Sequence, residues 1–170
     1  MARDLERQRC IIEPGYMAVS EQPALLCSVC GSGIVVILWD SVRRIGGIAH
    51  CFFPKPKGRE KRSHYYASVA VPQLIEHLVA AGGRAHRFEA HIIGGSVPSR
   101  MKDTSARHVV KTVRAYLKKR SVSSVMEDVY GSQGRKVVFD TARGDVYVMK
   151  TARIRKTDWV PAAAKKRGYQ

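Results

Sequence analysis

Leu26-Cys27-Ser28-Val29-Cys30-Gly31-Ser32-Gly33-Ile34-Val35-Val36-Ile37-Leu38-Trp39-Asp40 is the stretch that decides the fold. Ile34–Trp39 is a continuous apolar, β-branched run of strand length, which predicts a strand buried on both faces. Gly31, Ser32 and Gly33 just before it predict a tight or unusual backbone. The chain continues through Ser41-Val42-Arg43-Arg44 to Ile45-Gly46-Gly47-Ile48-Ala49-His50. Ile45–Phe53 reads as a second strand, opened by the glycine pair and closed by Pro54.

Working outward, residues 1–23 are polar and irregular, with turn signals at Pro14-Gly15 and Pro23. Lys55–Arg62 is a basic loop without an apolar anchor. Leu74, Leu78 and Ala81 give helical spacing over Tyr65–Ala81, with Pro72 marking its first turn or a kink and Gly82-Gly83 its stop. Phe88–Ile93 alternates as a strand and ends at Gly94-Gly95. Thr104–Arg120 is the clearest amphipathic helix: Ala106, Val109, Val110, Val113 and Leu117 share one face, and Asp103 or Thr104 caps its start. Val122–Tyr130, Lys136–Asp140 and Asp145–Lys150 read as three further strands, the last two joined through Thr141-Ala142-Arg143-Gly144. Strands, two long helices and closing strands predict an α/β (α+β) fold: a single layered domain of mixed β-sheet with two main helices. The expected organisation is a polar N-terminal segment at 1–14, the domain at 15–150 and a basic, flexible tail at 151–170.

The chain has 170 residues, enough to bury a substantial core. No run approaches the length of a membrane-spanning helix, and the charged N-terminus is no secretory signal, so the expected compartment is the cytoplasm. Cys10, Cys27, Cys30 and Cys51 are then expected to be free thiols. Cys27-x-x-Cys30 invites a redox or zinc reading. A redox pair of this spacing usually opens a helix, and adjacent His50 and Cys51 would point to opposite faces of a strand, so no metal site is expected. His64, His77, His86 and His91 are scattered and suggest no metal cluster. The net charge of +16 favours an acidic partner. Aromatic residues make up only 8%, and no stacking platform or nucleic-acid motif is present, which argues against a nucleic-acid partner.

The set of motifs resembles the CheD family, bacterial chemoreceptor glutamine deamidases. The resemblance rests on Leu38-Trp39-Asp40 and Ile45-Gly46-Gly47-Ile48-Ala49-His50, then on Ala90-His91-Ile92-Ile93-Gly94-Gly95-Ser96 and Ser105-Ala106-Arg107-His108. Glu127-Asp128-Val129-Tyr130-Gly131 and Gly134-Arg135-Lys136-Val137 extend it over roughly residues 15 to 150. It implies a cofactor-free hydrolysis of receptor glutamine amides to glutamate, with methyl-accepting chemoreceptor helices as partners and a CheC-type phosphatase allowed as another. His50 falls on the family's catalytic histidine, Gly33 on its nucleophilic cysteine and Cys27 on an active-site threonine.

An amide carbon is a poor electrophile, and a thiolate beside a histidine is the usual answer to it. Glycine cannot supply that thiolate. Three readings follow. In the first, Cys27 takes the nucleophile's role and His50 the base's, with backbone amides near Gly31, Ser32 and Gly33 holding the oxyanion. A straight strand would hold positions 27 and 33 about 20 Å apart, so this requires a turn at Gly31-Ser32. In the second, the chain is a catalytically inactive binding module. In the third, Gly33 is a substitution in an otherwise active enzyme.

Overall fold

The computed structural model describes residues 8–159. Ile34–Leu38 lies at its centre, every side chain fully buried. The chain order is β1 (Gln8–Ile11), β2 (Met17–Ser20), β3 (Ala24–Cys30), β4 (Ile34–Asp40), β5 (Ile45–Cys51), α1 (Ala67–Ala80), β6 (Phe88–Gly94), α2 (Ser105–Lys119), β7 (Ser124–Val129), β8 (Gly134–Asp140) and β9 (Asp145–Thr151). Short 3-10 turns lie at Ala85–Arg87 and Lys156–Trp159. The strands form a five-stranded sheet, β2-β5-β4-β6-β7, and a four-stranded sheet, β1-β3-β8-β9. The β1–β3 and β6–β7 pairings are parallel and the others antiparallel.

Strand alternation sorts the apolar run of β4 between two cores. Ile34, Val36 and Leu38 pack with Leu74 and Leu78 of α1 and Val110, Val113 and Leu117 of α2. Val35 and Ile37 pack with Leu26 of β3 and Val137 and Phe139 of β8. The result is three layers: helices, five-stranded sheet, four-stranded sheet. Each fully buried aliphatic side chain contributes about 1.5–3 kcal/mol, so β4 anchors both interfaces. The layered α+β domain expected from the sequence is what the chain forms. Gly46 and Gly47 have a packing reason: a Cβ on Gly46 would meet the Phe139 ring at 2.5 Å, and one on Gly47 would meet Leu74 at 2.7 Å.

Helix ends follow the sequence signals. The Asp103 carboxylate accepts hydrogen bonds from Ser105 N and Ser105 Oγ, each at 2.8 Å, at the start of α2. The α1 start has no side-chain cap; the Phe53 and Pro54 carbonyls accept from Ala67 N at 2.8 Å and Ser68 N at 3.0 Å. The chain leaving β5 is thereby tied to the first turn of α1. Pro72 sits inside α1. Gly82, at φ +95°, turns the chain out of the helix.

Two segments differ from expectation. The polar stretch 1–23 supplies β1 and β2, and Ile12 is buried. These four-residue strands exist because β3 and β5 offer them an edge, a long-range pairing that local pattern does not carry. At the other end the chain beyond Thr151 packs back on the sheet through the Lys156–Trp159 turn; the rest of the expected tail, 160–170, lies outside the described residues.

Asp40 ends β4 and is fully buried. Its carboxylate accepts from Val42 N at 3.0 Å, Arg43 N and Arg84 N at 3.1 Å, and the Arg87 guanidinium at 2.6 Å. Burial pushes this carboxyl's pKa up, but the Arg87 guanidinium and the backbone amides outweigh it and hold it below the usual range. Trp39 beside it donates its indole N–H to the Thr141 carbonyl at 2.9 Å, linking the two hairpins. Asp40→Ala orphans a half-buried guanidinium and three amides, and should lower stability by about 3 kcal/mol, read from the urea midpoint.

Candidate active site

Ser28 on β3 and His50 on β5 meet between the two sheets, both nearly inaccessible. The Ser28 hydroxyl donates to the Ile12 carbonyl at 2.7 Å. Its single proton is thus committed, so its oxygen accepts from His50 Nδ1 across 3.1 Å. This fixes the tautomer: Nδ1 carries the hydrogen and Nε2 keeps a free lone pair. Nε2 is buried without a hydrogen-bond partner among the described residues. Burial lowers the His50 pKa to about 4, opposed only by the Ile12 carbonyl, so the ring is neutral at physiological pH.

The lone pair is aimed at Gly33. A Cβ built on Gly33 would stand 2.5 Å from His50 Nε2 and 2.8 Å from the Phe52 ring. The Gly33 backbone is not in the left-handed region, so room, not conformation, is what a side chain would lack here. The two rings have closed over the space that a side chain at 33 would use. The β3–β4 turn is held from the neighbouring strand: Gly33 O accepts from Gly95 N, and Gly31 O from Ser96 N, both at 2.9 Å. Gly94, at φ +118°, is required here, because a Cβ would run into the Gly33 carbonyl. Gly31 and exposed Ser32 form the turn itself.

There are four free cysteines, and Cys10 on β1 packs half-buried against the inter-sheet core. Cys27 follows strand alternation onto the face of β3 opposite Ser28, beside Arg9, with its thiol 3.9 Å from the Leu25 carbonyl. The structure does not bring it to His50, and burial raises its pKa despite Arg9. Cys30 faces the inter-sheet core and Cys51 the helix-side core, and burial pushes both thiols up to about 12. Neither ionises at neutral pH. Cys27 and Cys30 point to opposite faces, and no group of three or more metal-ligating side chains occurs among the described residues.

The residues that sequence reasoning missed are Ser28, Ile12 and the aromatic cover. Parity could have found Ser28: in a strand, Leu26, Ser28 and Cys30 share the inward face. Phe52 stacks on His50 with ring centroids 5.4 Å apart, and Trp159 lies on it at 6.4 Å. Phe52 continues to Phe53, and Phe53 to Tyr66, at 6.4 and 5.8 Å. This aromatic row leads from His50 to a cleft of about 860 Å³ between the 53–66 segment and α2. Phe53, Tyr66 and Tyr116 line it together with Lys55, Lys57 and Lys111.

The pH dependence follows from the depressed pKa of His50. Between its ordinary 6.5 and about 4 the unfolded chain binds a proton that the folded chain does not. Stability is therefore full above this window and falls as pH drops through it, by about 3 kcal/mol in total. His50→Gln should remove that slope, compared by urea unfolding across the window.

A family model described as CheD chemotactic sensory transduction matches residues 53–150. The probable chemoreceptor glutamine deamidase CheD of Methanococcus vannielii is 33% identical, aligned over 82% of this chain and 93% of its own. The probable chemoreceptor glutamine deamidase CheD 1 of Dechloromonas aromatica is 34% identical over 84% of this chain and 73% of its own. The chemoreceptor glutamine deamidase CheD of Thermotoga maritima is 31% identical over 82% of this chain and 90% of its own. Among solved structures, the hypothetical protein YfiH of Bacillus licheniformis covers 68% of this chain and 49% of its own, at 13% identity and a TM-score of 0.44, too slight a likeness to bear on the fold. The family match and the near-full-length relatives agree: this chain belongs to the CheD family.

Proposed function

We propose that this protein acts in chemotaxis on the cytoplasmic helices of methyl-accepting receptors, holding a glutamine side-chain amide at a deamidase site that keeps its histidine and lacks its thiol. The observation that carries this reading is the 2.5 Å between His50 Nε2 and a Cβ placed on Gly33. A thiol carried at 33, once the His50 and Phe52 rings had shifted to admit its Cβ, would face a neutral imidazole whose free lone pair accepts its proton. The resulting thiolate would attack the amide carbon, the imidazolium would protonate departing ammonia, and water would then cleave the thioester to glutamate. With Gly33 the first bond cannot form. Cys30 and Cys51 are buried among apolar side chains, Cys10 packs on β1 against the inter-sheet core and Cys27 lies on the far face of β3, so the native chain binds without turning over.

The +16 charge supports the partner class, since it would steer association with a glutamate-rich helix. The cleft with Lys55, Lys57 and Lys111 is the docking surface we assign to that helix, because it combines cations with an apolar floor and adjoins Phe52. Among the described residues no helix is long and apolar enough to cross a membrane; we place the protein in the cytoplasm, where receptor helices are accessible. A CheC-type phosphatase is a second candidate partner, on family grounds alone.

The test is ammonia release from a receptor cytoplasmic fragment, with the roughly 1 Da gain of amide-to-acid conversion followed by mass spectrometry. The native chain should be silent and Gly33→Cys active, with Phe52→Leu added to make room for the new side chain. Turnover by the native chain, or silence of both folded variants, would contradict the proposal. Reversing Lys55, Lys57 and Lys111 to Glu should weaken fragment binding by roughly tenfold or more, an effect that shrinks with added salt.

A further inference from the structure

The chain leaving β9 does not depart from the domain. It bends at Thr151, whose hydroxyl donates to the Arg153 carbonyl at 2.9 Å, and crosses the four-stranded sheet towards the β3–β4 turn. Ile154 lies in a space that Gly134 keeps open, since a Cβ there would stand 2.7 Å from Ile154 Cδ1, and Gly31 borders the same space. Asp158 then fastens the segment twice. One carboxylate oxygen accepts from Lys136 Nζ on β8 at 2.5 Å, and the other accepts from Arg155 N at 2.7 Å. Arg155 O in turn accepts from Asp158 N at 3.0 Å, closing the 3-10 turn. Trp159 follows at once, its ring within 14° of parallel to His50.

Phe52 and Trp159 both stack on His50, which is 1% exposed. Phe52 directly follows the strand that carries His50, where its N–H donates to the Tyr65 carbonyl at 2.8 Å in the loop tied to α1. Trp159 belongs to a short segment fastened, among the described residues, by the Lys136–Asp158 ion pair, whose lysine is partly exposed and whose carboxylate is nearly buried, and by the Ile154 side chain. Of these two covers among the described residues, Trp159 is the less firmly held, since lifting Phe52 would break its backbone bond to Tyr65 and the tie of Phe53 to the start of α1.

We infer that Arg153–Trp159 is an autoinhibitory strap, and that a substrate side chain reaches His50 only when Trp159 has left it. This deepens the proposed function by regulating the same site. It rests on His50 being that site, not on whether the native chain hydrolyses an amide. The strap is held through β8, so its opening is set at Lys136 and Asp158, outside the chemistry.

The test reads access to His50 and requires no turnover. Diethyl pyrocarbonate acylates neutral imidazole nitrogen, and its rate at His50 in the full chain is followed by peptide mass spectrometry. Exposed His86 and His108 serve as internal references. Trp159→Ala and, independently, Lys136→Glu should each speed His50 acylation about tenfold while the reference histidines and the urea midpoint hold steady. Adding Asp158→Lys to Lys136→Glu restores an ion pair of reversed sense but not the bond from Arg155 N, and should return the rate part of the way to native. Unchanged His50 acylation in both single variants would overturn the strap. So would a rise in Lys136→Glu that the charge swap leaves in place, because the strap would then not be what had moved.

Discussion

A strand whose central residues carry no polar side chain is stable only where apolar surface covers both of its faces, and β4 is such a strand. Its five central side chains demand a helical layer on one side and a second sheet on the other. The geometry of the candidate site follows from that demand. β3 enters β4 through the Gly31–Gly33 turn, so the turn lies at the open end of the sandwich. β5 pairs with β4 and sets His50 opposite Val35, facing the second sheet. β3 belongs to that second sheet and presents Ser28 from the other side of the gap. The histidine and its serine are brought together because β4 needs two covers.

Burial that stabilises the sandwich also sets the chemistry. A neutral imidazole in an apolar gap is poor at holding a proton, and the Ser28 hydroxyl assigns the one it keeps to Nδ1. Nε2 is left bare and aimed at the backbone of Gly33, where neither Cys30 nor Cys51 is poised to answer it. Around that nitrogen stand the turn pinned by Gly95 and Ser96, the fixed tautomer and the aromatic walls.

The sequence makes β4, β5, both helices and the closing hairpin legible, because their patterns are local: periodicity, glycine stops, a polar cap at Asp103. β1 and β2 are not legible, since four polar-to-mixed residues become strands only when a distant edge accepts them. His50 and Gly33 can be singled out from motif resemblance, and the fold brings them together. Cys27 draws attention through the same resemblance, yet parity turns it outward and gives the inward place to Ser28. The strap escapes sequence reading because a single tryptophan in a basic, weakly patterned stretch carries no periodic signal. Its partners, Lys136 and the glycine-lined groove, become neighbours only in the folded sheet.

His50 is a buried neutral base whose free nitrogen faces Gly33. The most direct measurement is the nitrogen-15 spectrum of His50 in the full chain at neutral pH, which separates protonated from lone-pair ring nitrogens. A protonated Nδ1 and a bare Nε2 are expected. A hydrogen on Nε2, or a doubly protonated ring, would contradict this assignment.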